Sequence, residues 1–234
     1  MKNDPRFNNI LGEEYALFKS AIPHYDTIEE KIAESVAYLL GKKDSLMLDI
    51  GSGSGITSAF VLEKLPREVK VIAVDNEVKM ISQAKEILVD HSEQVTLINA
   101  DIMDYLKNTP DNYFDAVYSG WTIHNLNPQK RSNLFQEISR VTKSGGFIVN
   151  GDKIAVNDEQ KHQQNYDGFV RLLKKIGPMG SPDLEREWLK HYEEDETIKF
   201  TEKEQEELLS NNGFTDIQFV IRELLDTVVI AKKV

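Results

Sequence analysis

Cysteine is absent from the 234 residues. That excludes disulfide frameworks and thiolate metal sites. Long apolar runs are missing too, and no stretch approaches the ~20 residues that a membrane-spanning helix needs. The first residues, Met1 to Arg6, are polar and lack the apolar core of a secretory signal. The expectation is a cytoplasmic protein with no membrane partner. A basic excess is lacking as well: 28 Lys and Arg stand against 39 Asp and Glu, for a net charge of -11. Proteins that grip nucleic acid through its phosphates present a basic face. Here the basic pairs Lys42-Lys43, Lys174-Lys175 and Lys232-Lys233 are small and scattered, so a nucleic-acid partner is not expected. No spacing of histidine with carboxylate argues for a metal, and none is expected.

What is present fits an ordinary globular domain. Hydrophobic residues make up 40% and charged residues 29%, both typical values. The length suits one α/β domain with an elaboration, as a monomer or homodimer. The most informative stretch is Leu46–Gly55. Leu46, Met47, Leu48 and Ile50 read as a buried strand, and Gly51, Gly53 and Gly55 follow at spacings of two. Ile56, Ala59, Phe60 and Leu62 then form an amphipathic segment. Strand, glycine turn and helix make the first half of a nucleotide-binding βαβ unit, where glycine lets a ligand approach backbone without meeting a Cβ.

Spacing separates the ligand classes. A phosphate-binding loop needs Lys-Ser/Thr after its last glycine, whereas Ile56-Thr57 follow Gly55. A dinucleotide turn is G-x-G-x-x-G, and here the third glycine comes one residue early. Asp49, two residues before the turn, suits a cationic ligand better than a pyrophosphate. A bare βα turn with no ligand is the other reading.

Further along, Val69–Asp75 reads as a second strand ending in an acid 24 residues after Gly51. Asp75 can accept bonds from both hydroxyls of a ribose, or cap a helix. Asn76 can also cap, with Met80, Ile81, Ala84, Ile87 and Leu88 as the buried stripe of the next helix. Val95–Asp101 is a third strand, and Asp101 again either caps or binds. Phe114–Gly120 is a fourth, with Ser119 and Gly120 at its end. Trp121–Leu126 follow where strands end and face the expected cleft. Asn127-Pro128 open a helix with Leu134, Phe135, Ile138 and Val141 inward. Lys143–Gly146 close it, and a fifth strand starts at Gly146.

Residues 1–44 read as a helical cap. Phe7, Ile10 and Leu11 form one face and Tyr15, Leu17 and Phe18 the next. The chain bends at Ala21–Tyr25, and a capping box of Thr27 with Glu30 starts a second helix. Tyr25 at the bend either packs or touches ligand. Residues 155–200 break the βα rhythm as a polar, partly helical insertion with a Gly/Pro interruption at 177–182, placed over the sheet as a lid. Thr201 with Glu204 gives another capping box. Two strands about a tight turn near Leu225-Asp226 end the chain.

The joint pattern of Asp49-x-Gly51-x-Gly53-x-Gly55, Asp75, Asp101-Ile102, Ser119-Gly120, Gly145-Gly146 and the terminal hairpin resembles class I S-adenosylmethionine (SAM) dependent methyltransferases. Ala21–Tyr25, Val74–Asn76 and Trp121–Leu126 further resemble the bacterial carboxy-SAM synthases and small methyltransferases like them. The resemblance implies a Rossmann-like seven-stranded sheet, mostly parallel, with the last strand inserted antiparallel. It implies SAM as cofactor and S-adenosyl-L-homocysteine as product. Cofactor contacts would come from Tyr25, Asp49, Gly51, Ser52, Gly53, Gly55, Asp75, Asn76, Asp101, Ile102, Ser119 and Gly120, with Asp101 and Ile102 at the adenine. His124 is the best-placed base, His24 a weaker one, and Asp152 is expected to face the acceptor. In the synthases an arginine from the insertion meets the extra carboxylate of carboxy-SAM. Here that position falls near Glu193-Glu194, with Arg186 nearby. Three functions stay open: methylation of a small molecule, modification of tRNA wobble uridine (by methylation or by making carboxy-SAM), and SAM binding without catalysis.

Overall fold

The computed structural model describes residues 15–40 and 44–234. The expected face of Phe7, Ile10 and Leu11 lies outside them. Two helices, α1 (Tyr15–Ala21) and α2 (Tyr25–Leu40), lead into β1 (Leu46–Ile50), α3 (Ile56–Glu63), β2 (Lys70–Asp75), α4 (Val78–Ile87) and β3 (Val95–Asn99). There follow α5 (Ile102–Lys107), β4 (Phe114–Gly120), α6 (Pro128–Val141) and β5 (Thr142–Lys153). Then come α7 (Glu159–Leu173), α8 (Pro182–Thr197), α9 (Glu202–Asn211), β6 (Phe214–Glu223) and β7 (Asp226–Lys233).

The seven strands form one sheet in the order β3-β2-β1-β4-β5-β7-β6. The five strands β1 to β5 pair in parallel, and β7 lies antiparallel between β5 and β6. Parallel strands covered by helices on both faces read as near-continuous apolar runs, as Leu46–Ile50 does. One face is filled by Ile28, Ile32 and Val36 of α2 with Val61 and Leu62 of α3. The other takes Leu134, Phe135 and Ile138 of α6 with Leu106 and Leu209. Gly151 is needed where α2 crosses β5, because a Cβ there would collide with Ile32. Among the described residues no helix is long and apolar enough to cross a membrane.

A third apolar cluster belongs to the elements outside the βα rhythm. Phe18, Ile22 and Tyr25 pack with Phe169 and Leu173 of α7, Trp188 and Tyr192 of α8, and Leu225. The insertion is therefore less polar in effect than its composition suggests. Its apolar residues meet the N-terminal helices instead of the sheet.

Some local expectations need correction. Thr27 does not cap α2, which starts two residues earlier at the bend, where His24 C=O accepts from Ile28 N–H. Asn76 is not the cap of α4. Glu77 holds that position, and its amide is taken by the Asp75 carboxylate. Ile87 is exposed, off the buried stripe. Strand β5 begins at Thr142, directly after α6, with a register shift against β4 and Gly145 at φ 75. The closing turn sits one residue early, with Leu224 at φ 56. Thr201 does accept from Glu204 N–H, but the Glu204 side chain goes to Arg131 instead of returning to the cap.

Candidate active site

Strand β1 is paired with β2 on one side and β4 on the other. From there the connections run outward in opposite directions. In open parallel sheets such a reversal leaves a crevice at the carboxyl ends of the strands, which is where ligands bind. A cavity of about 240 Å³ lies there, with Gly51, Asp75, Asp101, Gly120, His124 and Trp188 among its lining residues.

The floor is the glycine turn. Gly51, Gly53 and Gly55 have φ of 63, 52 and 83, a region that side chains with a Cβ enter only with strain. A Cβ on Gly51 would also strike Thr122, whereas Gly53 opens onto free space. Gly53 N–H donates to Asp75 Oδ2 at 2.9 Å, and Glu77 N–H to Asp75 Oδ1 at 2.8 Å. Each carboxylate oxygen keeps a second lone pair. Burial raises the pKa of Asp75, and the two amides partly offset it. Asp101 caps α5, its Oδ1 accepting from Met103 and Asp104 amides. Ile102 opens that helix, so its amide lacks an intrahelical partner.

Of the residues expected at the cofactor, Tyr25, Gly51, Ser52, Gly53, Asp75, Asn76, Asp101, Ile102 and Gly120 line the cavity, and so does His124. Asp49, Gly55 and Ser119 stand behind the wall instead. Gly55 leads into α3 against Leu88. Ser119 donates to Ile50 C=O at 3.0 Å and ties β4 to β1. Asp49 is fully buried, with Oδ2 accepting from Ser58 at 2.6 Å and Oδ1 lacking a partner among the described residues.

Beneath the floor, Asp49 has a companion that sequence reasoning missed. Glu29 of α2 is buried, accepts from Thr57 and is hydrogen-bonded to Tyr25. Burial pushes its carboxyl up to about 8, with the Thr57 and Tyr25 bonds pulling the other way. Burial likewise raises Asp49 to about 7, against the Ser58 bond.

The roof is aromatic. Tyr25 stacks on Trp121 (4.8 Å between centroids, 4° between planes), and Phe18 stacks on Trp188 at 4.0 Å. Trp121 has φ 46. Its indole N–H donates to Asp226 Oδ1 at 3.0 Å, and Asp226 Oδ2 is 2.9 Å from His24 Nε2. His24 thus serves as an anchor for the bend at the start of α2 and is not a base in the cleft.

His124 sits on a one-turn helix, Ile123–Asn125, just after β4. Asp152 is fully buried at the end of β5, so it does not face the cavity as expected. Its carboxylate takes His124 N–H at 3.0 Å and bonds the ring Nδ1. A carboxylate on Nδ1 assigns the proton to that nitrogen and leaves Nε2 as the acceptor. Nε2 is 3.6 Å from Asp195 Oδ2, and His191 Nε2 is 3.5 Å from the same oxygen. Lys153 Nζ pairs with Asp195 at 2.5 Å and lies 4.0 Å from the Tyr192 ring centroid. Burial lowers the pKa of Lys153, and Asp195 opposes that. A trace of this cluster was in the sequence: His191 and Asp195, four apart, share one helix face. Nothing local connected them to His124.

Residues 47–146 match the model of a methyltransferase domain family. Among curated relatives, carboxy-S-adenosyl-L-methionine synthase of Nautilia profundicola is 24% identical over 88% of this chain and 84% of its own. The synthase of Helicobacter hepaticus is 23% identical over 93% and 89%. Solved SAM-dependent methyltransferases share the fold. One from Archaeoglobus fulgidus superposes with a TM-score of 0.63 at 18% identity, covering 94% of this chain and all of that one. Another, from Aquifex aeolicus, gives 0.59 at 19% identity, covering 94% and 98%. Residues 47–146 thus resemble a methyltransferase domain, and the chain as a whole is similar to SAM-dependent enzymes of this fold.

The buried acids make a stability test. A carboxyl raised in the folded state keeps its proton while the unfolded chain loses it, so stability falls as pH climbs between the two pKa values. For Glu29 that window runs from 4.5 to about 8. Glu29→Gln removes this loss. Its melting temperature is expected to gain on the wild type by several degrees between pH 5 and pH 8, at ~2–4 °C per kcal/mol for a chain of this size. Parallel melting curves across that range would show that Glu29 titrates normally.

Proposed function

We propose that the enzyme transfers the SAM methyl group to a small-molecule acceptor by in-line displacement. The observation that carries this reading is the end of the cleft where His124, oriented by Asp152, lines the cavity together with Phe18 of α1, Tyr25 of α2 and Trp188 of α8. A cavity of about 240 Å³ and a net charge of -11 suit a small acceptor better than RNA.

The residues fit the cofactor. The spare lone pairs of Asp75 suit the ribose hydroxyls. The Ile102 amide and the Asp101 carboxylate suit the adenine edge, and the open face of Gly53 leaves room for close approach. Asp49, buried behind the turn with Oδ1 unpartnered among the described residues, supplies negative field once a ligand carrying an ammonium and a sulfonium favours its ionised form over burial. Bound there, SAM supplies an electrophilic methyl group and a neutral thioether leaving group. The protein then aligns the acceptor, excludes water and removes a proton where the acceptor carries one. His124 Nε2 takes that proton, and Asp152 stabilises the imidazolium. The roof elements, including residues 155–200, act as a lid.

A second reading, synthesis of carboxy-SAM, has the similarity to the carboxy-SAM synthases in its favour. An extra carboxylate calls for a cation. Arg186 is exposed and paired with Asp183, Glu193 and Glu194 are exposed, and among the described residues the cavity is lined by no arginine, only by the exposed Lys130 at its edge. This supports plain SAM.

Three outcomes are expected. Charge-assisted bonds of this kind are worth ~1.5–3 kcal/mol, so Asp75→Ala weakens SAM more than tenfold by calorimetry. Unchanged affinity in the folded variant removes Asp75 from the site. His124→Asn keeps SAM affinity and loses ~10²–10⁴ in turnover of an acceptor identified by methyl labelling of fractionated extracts. Full turnover in that variant leaves alignment alone as the catalytic device, and no labelled fraction at all favours the non-catalytic reading. In native mass spectrometry of protein from cells making both cofactors, SAM copurifies. Carboxy-SAM in its place would move the second reading to first.

A further inference from the structure

We propose that His124, His191 and Asp195 form a binding site for one divalent transition-metal ion, with Zn²⁺ the best match, at the acceptor end of the cleft. The ligand atoms of the three side chains lie within 4.8 Å of one another, and all three residues are buried. Both histidine Nε2 atoms stand 3.5–3.6 Å from Asp195 Oδ2. That is long for a hydrogen bond. It suits two ligands of one tetrahedral ion, which at bond lengths of 2.0–2.1 Å sit about 3.4 Å apart.

Three further features fit. Asp152 on Nδ1 fixes His124 with Nε2 as the donor atom, the outer-shell carboxylate that metal-bound histidines commonly carry. His191 and Asp195 project from one face of α8, so the helix brings two ligands and the β4–α6 connection brings the third. Through His124 and His191 the cluster opens onto the cavity, which leaves a fourth position for water or a ligand atom. Two imidazoles and one carboxylate suit Zn²⁺, and accept Fe²⁺, Mn²⁺ or Co²⁺.

Lys153 is the competitor. Its ammonium sits on Asp195, so an ion must displace it or use the other carboxylate oxygen. Lys153 therefore sets how tightly the site binds. The consequence for catalysis rests on the methyl-transfer reading: the Nε2 lone pair of His124 serves either an acceptor proton or the ion, so a loaded site lacks its base.

Binding is tested on the tag-free, metal-stripped full chain without cofactor or acceptor. Zn²⁺ is titrated by calorimetry, and Co²⁺ is followed by its visible absorption. One equivalent is expected. His191→Ala and Asp195→Asn weaken it at least tenfold, and Lys153→Met tightens it. Circular-dichroism melts verify that each variant is folded, and the Co²⁺ spectrum of the wild type needs no variant. The site is refuted if neither wild type nor Lys153→Met takes up an ion, or if uptake survives His191→Ala unchanged. Metal uptake and methyl transfer are read separately, so either can fail while the other stands.

Discussion

Strand β1 lies between β2 and β4, and those neighbours carry the chain away in opposite directions. Backbone leaving β1 must turn sharply into α3 without a strand beside it to close the gap. Three residues with positive φ make that turn, and all are glycine. Asp75 at the end of β2 and Asp101 two residues past β3 then fall at the same edge of the sheet because parallel strands end in step. Asp75 locks the arrangement by holding the Gly53 and Glu77 amides together. A cleft with carboxylates on one side is the geometric result of strand order.

The opposite side of the cleft is closed by long-range pairing. Trp121 leaves β4 in a left-handed conformation that costs about 1–3 kcal/mol. Its stack on Tyr25 contributes ~0.5–1.5 kcal/mol beyond burial, and its indole bond to Asp226 a similar amount. The two together are of the size needed to offset the strain. Asp226 also holds His24, so one buried carboxylate fixes both the bend into α2 and the wall of the cleft. The Phe18–Trp188 stack then couples α1 to α8 above it. The helical elements outside the sheet are thereby tied to the site at several points.

Features carried by local pattern were legible in the sequence: the strand runs, the glycine turn, Asp75 at the end of β2, and the Asn127-Pro128 helix start; the third strand stops at Asn99, short of the expected Asp101, which caps α5. Boundaries set by distant partners were not. The expected cap at Thr27 failed because α2 is set at His24 by a residue 202 positions away. Asp152 was expected to face the acceptor and instead holds His124 from behind. Lys153 and Glu29 gave no usable signal, and the spacing of His191 and Asp195 on one helix face gave only a trace, since each gains its meaning from side chains on other elements. Asp49 and Ser119 were recognised by motif, yet burial separates them from the cavity surface.

Methyl transfer in this cleft depends on where the cofactor lies and which end of it meets His124. A crystal structure with S-adenosyl-L-homocysteine bound tests this most directly. The expected result is ribose on Asp75, adenine beside Asp101 and Ile102, and the sulfur turned toward His124 beneath Trp121 and Tyr25. Ligand density outside this cleft, or a sulfur turned away from His124, would contradict it.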